Sequence, residues 1–205
     1  MTTNASARTS ILAAVRSVRI PDPGLARYEG PETGADLAVR FAENLDAAGG
    51  RCIHVAHASG IPGALRSLPG FASARSVVSD VPTLPSRLPT PAPSAPRDLH
   101  DLDFALISGG LGVAESGAVW IQPQEALVRA AAFLAPEVAL VLSHRDIVAD
   151  LHRAYARIAL GAAGFGCFVA GPSKTADIEQ SLVIGAHGPR VLSVLIVGAL
   201  PDAPD

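Results

Sequence analysis

Apolar and polar positions along this chain follow two periods, and the changes between them mark its elements. Leu37, Phe41 and Leu45 recur at i, i+4 and i+8 and predict a helix over 34–48, closed by Gly49 and Gly50. Ile11, Leu12, Val15 and Val18 fall on one face and predict an amphipathic helix near the N-terminus; an Arg- and Ser-rich, acid-poor start also fits a transit peptide. Strand-length apolar runs follow at RCIHVA (51–56), SVV (76–78), DFALIS (103–108), 117–121, 138–142, GFGCFVAG (164–171) and RVLSVLIVG (190–198). A short helix is expected between 59 and 75. The stripe Ile147, Leu151, Ala154 and Ile158 predicts a helix over 145–160, capped by Ser143 or His144, and SKTADIEQSLVIG (173–185) reads as another helix.

Strands that are continuous Val/Ile/Leu runs, alternating with helices, imply an α/β fold. They predict a mainly parallel sheet covered on both faces, which makes three layers. The expected organisation is an N-terminal helix and linker at 1–30, then one domain over 31–205. Residues 81–96 carry six prolines after Val81 and exclude a regular helix or a central strand. That stretch is expected to be a functional or surface loop within the domain.

Composition narrows the function classes. The net charge is −3, the basic residues form no stripe and aromatics are 4% of the chain, which argues against nucleic-acid binding. No apolar run reaches the ~18 residues of a membrane span, so a cytoplasmic protein is expected. Two cysteines are too few for a cysteine-ligated iron-sulfur cluster, which needs about four thiolates. Cys52, His54 and His57 have no further ligand nearby and do not make a metal site, and His100, His144 and His152 carry no motif. Gly109, Gly110 and Gly112 form a turn leading into a strand, whereas a dinucleotide fingerprint opens a helix. Ser116 lacks the strand-to-helix setting of a hydrolase nucleophile.

Two stretches resemble a known family. GVAESGAVWI (112–121) contains an A-E-[ST]-G step at Ala114 to Gly117, and GPSKTADIE (171–179) matches G-P-S-[RK]-T-[AS]-D-I-E throughout. His187-Gly188-Pro189 supplies an H-G-P turn, and SHRDIV (143–148) places a His after a buried strand. Together these resemble the LUD-domain proteins, the lactate-utilisation protein C family. The resemblance covers nearly the whole chain, although 81–96 has no assignable motif and 122–136 departs from the family pattern. It implies a three-layer α/β fold like that of glucosamine-phosphate deaminase, ribose-phosphate isomerase and the CoA transferases. It also implies an accessory or assembly role in oxidation of L-lactate to pyruvate, beside iron-sulfur partner proteins, with no redox cofactor in this chain.

Lys174 is the only lysine; the other fifteen basic residues are arginines. At the start of a helix it would add a positive charge beside free N–H groups. Gly171, Ser173, Lys174 and Thr175 are therefore expected to bind a small carboxylate or phosphate. The alternative is a solvated side chain, with Asp177 and Glu179 complementing the helix start. Glu115 is a nucleophile by analogy with the CoA transferases, or a carboxylate that ties down its turn together with Gly112, Ser116 and Gly117. His187 and Gly188 read as a turn about 15 Å from Lys174, across the intervening helix. The open alternatives to the accessory role are a CoA-transferase-like or sugar-phosphate enzyme using Glu115, and a carboxylate-sensing regulator. Homo-oligomerisation is compatible with all three.

Overall fold

The computed structural model describes residues 3–18, 37–161, 164–175 and 183–198. Helix α1 (Thr3–Ser17) belongs to a unit formed by residues 1–30, with its Ile11, Val15 and Val18 exposed. The second unit comprises residues 31–205.

Helix α2 (Leu37–Ala47) buries Ala38, Phe41 and Leu45 completely. Burial of Phe41 and Leu45 contributes roughly 1.5–3 kcal/mol each. The helix ends in a Schellman motif. Gly49 adopts a left-handed φ of 83°, its N–H donates to Asp46 O, and Gly50 N–H donates to Leu45 O at 2.9 Å.

The chain then enters β1 (Arg51–Val55), passes through α3 (Ile61–Arg66) and α4 (Pro69–Ser73), and reaches β2 (Val77–Ser79). Long strand β3 (Phe104–Val113) is followed by β4 (Ala118–Ile121), α5 (Ala126–Leu134), β5 (Glu137–Ser143) and β6 (Ile147–Val148). Helix α6 (Leu151–Arg157), β7 (Cys167–Val169), β8 (Lys174–Thr175), β9 (Val183–Ile184) and β10 (Val191–Val197) complete it.

Strands β1, β10, β5, the first half of β3, and β2 lie side by side and parallel. Both faces are covered, as the apolar runs predict. Val78, Ala105, Ile107, Leu140, Val194 and Ile196 pack with α2 and α5 on one face. Phe104, Leu106, Ala139 and Leu195 pack on the other with Ile61 and Leu65 of α3.

Beyond Ser108 the sheet changes character. A bulge between Gly109 and Leu111 redirects β3, whose second half pairs antiparallel with β4 and parallel with β6. Strand β7 adds antiparallel to β4. This curled portion folds over α2: a Cβ at Gly112 would meet both Phe41 and Leu142. Its outer face packs Leu111, Val113 and Trp120 against Ala154 of α6.

Four local expectations are corrected. Gly109 to Gly112 are strand, not turn; the turn is 114–117. The helix over 145–160 is shorter, because a 3-10 turn (His144–Asp146) and β6 come first. Asp150, not His144, is its N-cap, accepting Arg153 N–H at 2.8 Å, while Ser143 caps the 3-10 turn. Ser173 to Thr175 do not open a helix: β8 and β9 pair antiparallel, Lys174 opposite Ile184. Within that stretch, Asp177 and Glu179 lie outside the described residues. Finally, the proline-rich loop is anchored. Arg87 bridges to Val77 through both backbone bonds, and its guanidinium donates to Ala74 O.

Candidate functional site

The two stretches that carry the resemblance converge on one feature, the C-terminal end of α2. Turn 114–117 packs against Asn44 and Leu45. Asn44 Nδ2 donates to Ala114 O at 2.7 Å, and Ala114 and Glu115 N–H groups donate to Val148 and Ala149 carbonyls. Gly117 adopts φ 64°, and a Cβ there would overlap the Leu45 backbone. One turn further along the same helix, Gly171 (φ 69°) approaches the Ala48 carbonyl so closely that a Cβ would overlap it. Lys174 Nζ donates to that carbonyl at 2.6 Å.

This contact accounts for a positive charge at position 174. Ala48 is the cap residue of α2, where carbonyl groups lack intrahelical partners and the helix dipole is negative. The local field therefore favours the ammonium, the reverse of the field at a helix start. Anion binding at Lys174 would require its ammonium to leave or share the Ala48 carbonyl.

The hairpin also brings together residues expected to be far apart. Ser173 Oγ donates to His187 O at 3.0 Å, and Ser173 N–H donates to Pro189 O at 2.8 Å. Gly188, with φ 133°, lies against the Ser173 side chain. His187 is thus beside Ser173 rather than a helix-length from it. Thr175 pairs with Val183. Pro189 lies two residues before β10 and Ala48 three before β1, so this cluster occupies the amino edge of the parallel strands. Ligands in open α/β sheets bind at the carboxyl edge.

Glu115 is exposed, and its carboxylate has no hydrogen-bond partner among the described residues. The turn is tied by backbone groups and Asn44, and among the described residues the carboxylate takes no part in bracing it. Ser116 Oγ is buried without a partner among the described residues.

Burial pushes the Cys52 thiol up to about 11 and raises that of Cys167, unfavourable for a thiolate nucleophile or ligand. Cys52 Sγ lies 4.0 Å from His54 Nε2. No group of three or more potential metal-ligating side chains occurs among the described residues. None of the described helices is long and apolar enough to cross a membrane.

At the carboxyl edge, sequence reasoning missed a polar hollow of about 380 Å³ beside the β3 bulge. Gly110, Trp120, Gln122, Asp146, Arg157 and Ile158 are among its lining residues. These positions share no local motif, which is why pattern reading passed over them.

Fold and geometry together define a class: an α/β protein whose parallel sheet curls over a helix end held by two glycine-bearing loops. The chain belongs to the LUD domain family, whose model matches residues 92–197. It is 25% identical over 183 residues to Lactate utilization protein C of Deinococcus radiodurans, covering 82% of each chain. It is 33% identical over 91 residues to Lactate utilization protein C of Geobacillus thermodenitrificans, covering 42% of this chain and 38% of that one. The crystal structure of a DUF162 family protein from Deinococcus radiodurans superposes with a TM-score of 0.58 at 20% identity, covering 82% of this chain and all of that one.

Proposed function

We propose that this chain is an accessory or assembly subunit in oxidation of L-lactate to pyruvate, acting beside iron-sulfur partner proteins in the cytoplasm. The observation that carries the reading is the match over 82% of both chains to a relative named for lactate utilisation. The absence of its own redox centre is part of the proposal. Its two cysteines lie on β1 and β7, at opposite ends of the sheet order, and cannot jointly ligate one cluster. The test is deletion of the gene, followed by growth on L-lactate as the carbon source and affinity capture of the tagged chain. Loss of growth on lactate but not on pyruvate, with iron-sulfur proteins retained on the tagged chain, is the expected result. Unimpaired growth on lactate would overturn the role.

The exposed carboxylate of Glu115, without a hydrogen-bond partner among the described residues, favours a second reading, acyl transfer of the CoA-transferase type. Mass spectrometry after incubation with an acyl-CoA would detect a Glu115 adduct if that reading holds. An unmodified Glu115 peptide removes it.

A further inference from the structure

We infer that the hollow beside the β3 bulge is a binding site for a small organic acid bearing a hydrogen-bond donor on its α-carbon, a 2-hydroxy or 2-amino acid. The inference rests on the hollow and not on the lactate reading, and growth on lactate plays no part in its test.

The hollow lies where the parallel part of the sheet ends. Gly110 sits in the bulge, exposed, and Asp146 closes the 3-10 turn that follows β5. Both belong to the carboxyl edge, where loops after parallel strands collect ligands in α/β folds. Its volume of about 380 Å³ lies at the lower end of the usual range for small-molecule sites, roughly 300–1,000 Å³.

The lining sets the ligand chemistry. Arg157, the last residue of α6, supplies the cationic side chain among the described lining residues. Its guanidinium has no hydrogen bond or ion pair among the described residues, so its planar fork is free for a carboxylate. Asp146 likewise has no side-chain partner there and can only accept when ionised. Gln122 uses its Nε2 on Ala159 O at 3.1 Å, which leaves Oε1 as a second acceptor. One anion-binding donor therefore faces two acceptors. A keto acid satisfies Arg157 but offers Asp146 no donor, and inorganic phosphate keeps an O–H donor but brings up to two negative charges beside the Asp146 carboxylate. A hydroxyl or ammonium on the α-carbon satisfies both sides. Leu111, Trp120 and Ile158 add an apolar wall for a side chain larger than methyl.

Trp120 is the chain's one tryptophan, so its emission reports on the hollow directly. The full chain is titrated with L-lactate, L-2-hydroxyisocaproate, L-alanine and L-leucine, and with pyruvate and phosphate as comparison probes, with calorimetry in parallel. Saturable binding of the hydroxy or the amino acids, at least about tenfold tighter than pyruvate or phosphate, is expected. Whichever series saturates assigns the donor. Arg157→Met should weaken binding at least about tenfold, and Asp146→Asn should erase the preference over pyruvate. Gly110→Leu should block the site without altering charge, since a Cβ there meets nothing closer than Trp120 at 3.6 Å. Melting curves identify any variant that fails to fold, and the wild-type preference stands as a test independent of the variants. No saturation by any hydroxy or amino acid, equal binding of pyruvate, or undiminished binding in a folded Arg157→Met chain would each overturn the site.

Discussion

Removing the Lys174 ammonium should destabilise the fold, and the sign of that effect separates two accounts of this residue. Lys174→Ala deletes one charge-assisted hydrogen bond, from Nζ to Ala48 O at 2.6 Å, and one favourable charge at the C-terminus of α2. Hydrogen bonds to charged groups contribute roughly 1.5–3 kcal/mol when sheltered, but Lys174 is exposed and the solvent-screened value is about 1 kcal/mol. The dipole interaction adds roughly 0.3–1 kcal/mol. The sum, about 1–2 kcal/mol, corresponds to a fall in Tm of about 3–6 °C for a domain of this size. Lys174→Met, which keeps most of the stem, should fall nearly as far, and Lys174→Glu further, because it places a negative charge at the negative end of the helix. Urea denaturation of the four proteins at low and high salt measures this, and the gap between wild type and Lys174→Ala should narrow as salt rises. A Lys174→Ala chain as stable as wild type, or more stable, would return the residue to the helix-start account, in which the positive charge opposes the local dipole.

The two glycine clamps are stricter. Gly117→Ala and Gly171→Ala each combine a left-handed φ with overlap of α2 backbone atoms and should cost about 3 kcal/mol or more, read as a large fall in the urea midpoint. Ser116→Ala removes a buried hydroxyl with no partner among the described residues and should leave stability unchanged or raise it by up to about 1 kcal/mol; a marked loss would show that the hydroxyl is satisfied in solution. The carboxyl of Asp103 is held below its usual range by the N–H groups of Ser76 and Arg75. Burial acts to raise that of Asp150, but the Arg153 N–H and guanidinium outweigh it and hold it low. A depressed folded pKa gives stability that is complete above the unfolded value, about 4, and lost as pH falls through the folded value. Denaturation midpoints should therefore be flat from neutral pH to about 5 and drop below about 4, and Asp103→Asn should flatten that acid limb.

Periodicity was sufficient for the layers and insufficient for the site. Leu37, Phe41 and Leu45 specify α2 because one buried face at helical spacing has a single solution, and Gly49-Gly50 can only be its end. The runs at 104–108, 138–142 and 191–197 specify parallel strands because burial on both faces removes polar alternation. The same logic misread 145–160: Ile147 and Leu151 keep helical spacing, but Asp150 between them is a stronger N-cap than His144, and Ile147-Val148 prefer to pair with β3. At 173–185 a hydrophilic stretch with acids near its start imitates a helix N-terminus. The Ser173 N–H is used instead by Pro189 O, a contact across sixteen residues that no local pattern announces.

That failure explains why two stretches so specific in sequence stand apart from the hollow. A helix end pressed from two sides needs particular residues at fixed places: a glycine wherever backbone meets backbone, and a cation beside the cap carbonyl. Gly117, Gly171 and Lys174 meet those requirements, so their pattern is dictated by geometry before any ligand is considered. The hollow imposes no comparable spacing. Gly110, Gln122, Asp146 and Arg157 come from four separate segments and meet only because the bulge turns β3 beside the 3-10 turn after β5. Substitutions at the clamp should therefore act first on stability, whereas those in the hollow should act on ligand affinity at unchanged stability. A folded clamp variant that lost affinity at unchanged stability would place the ligand at the end of α2 instead.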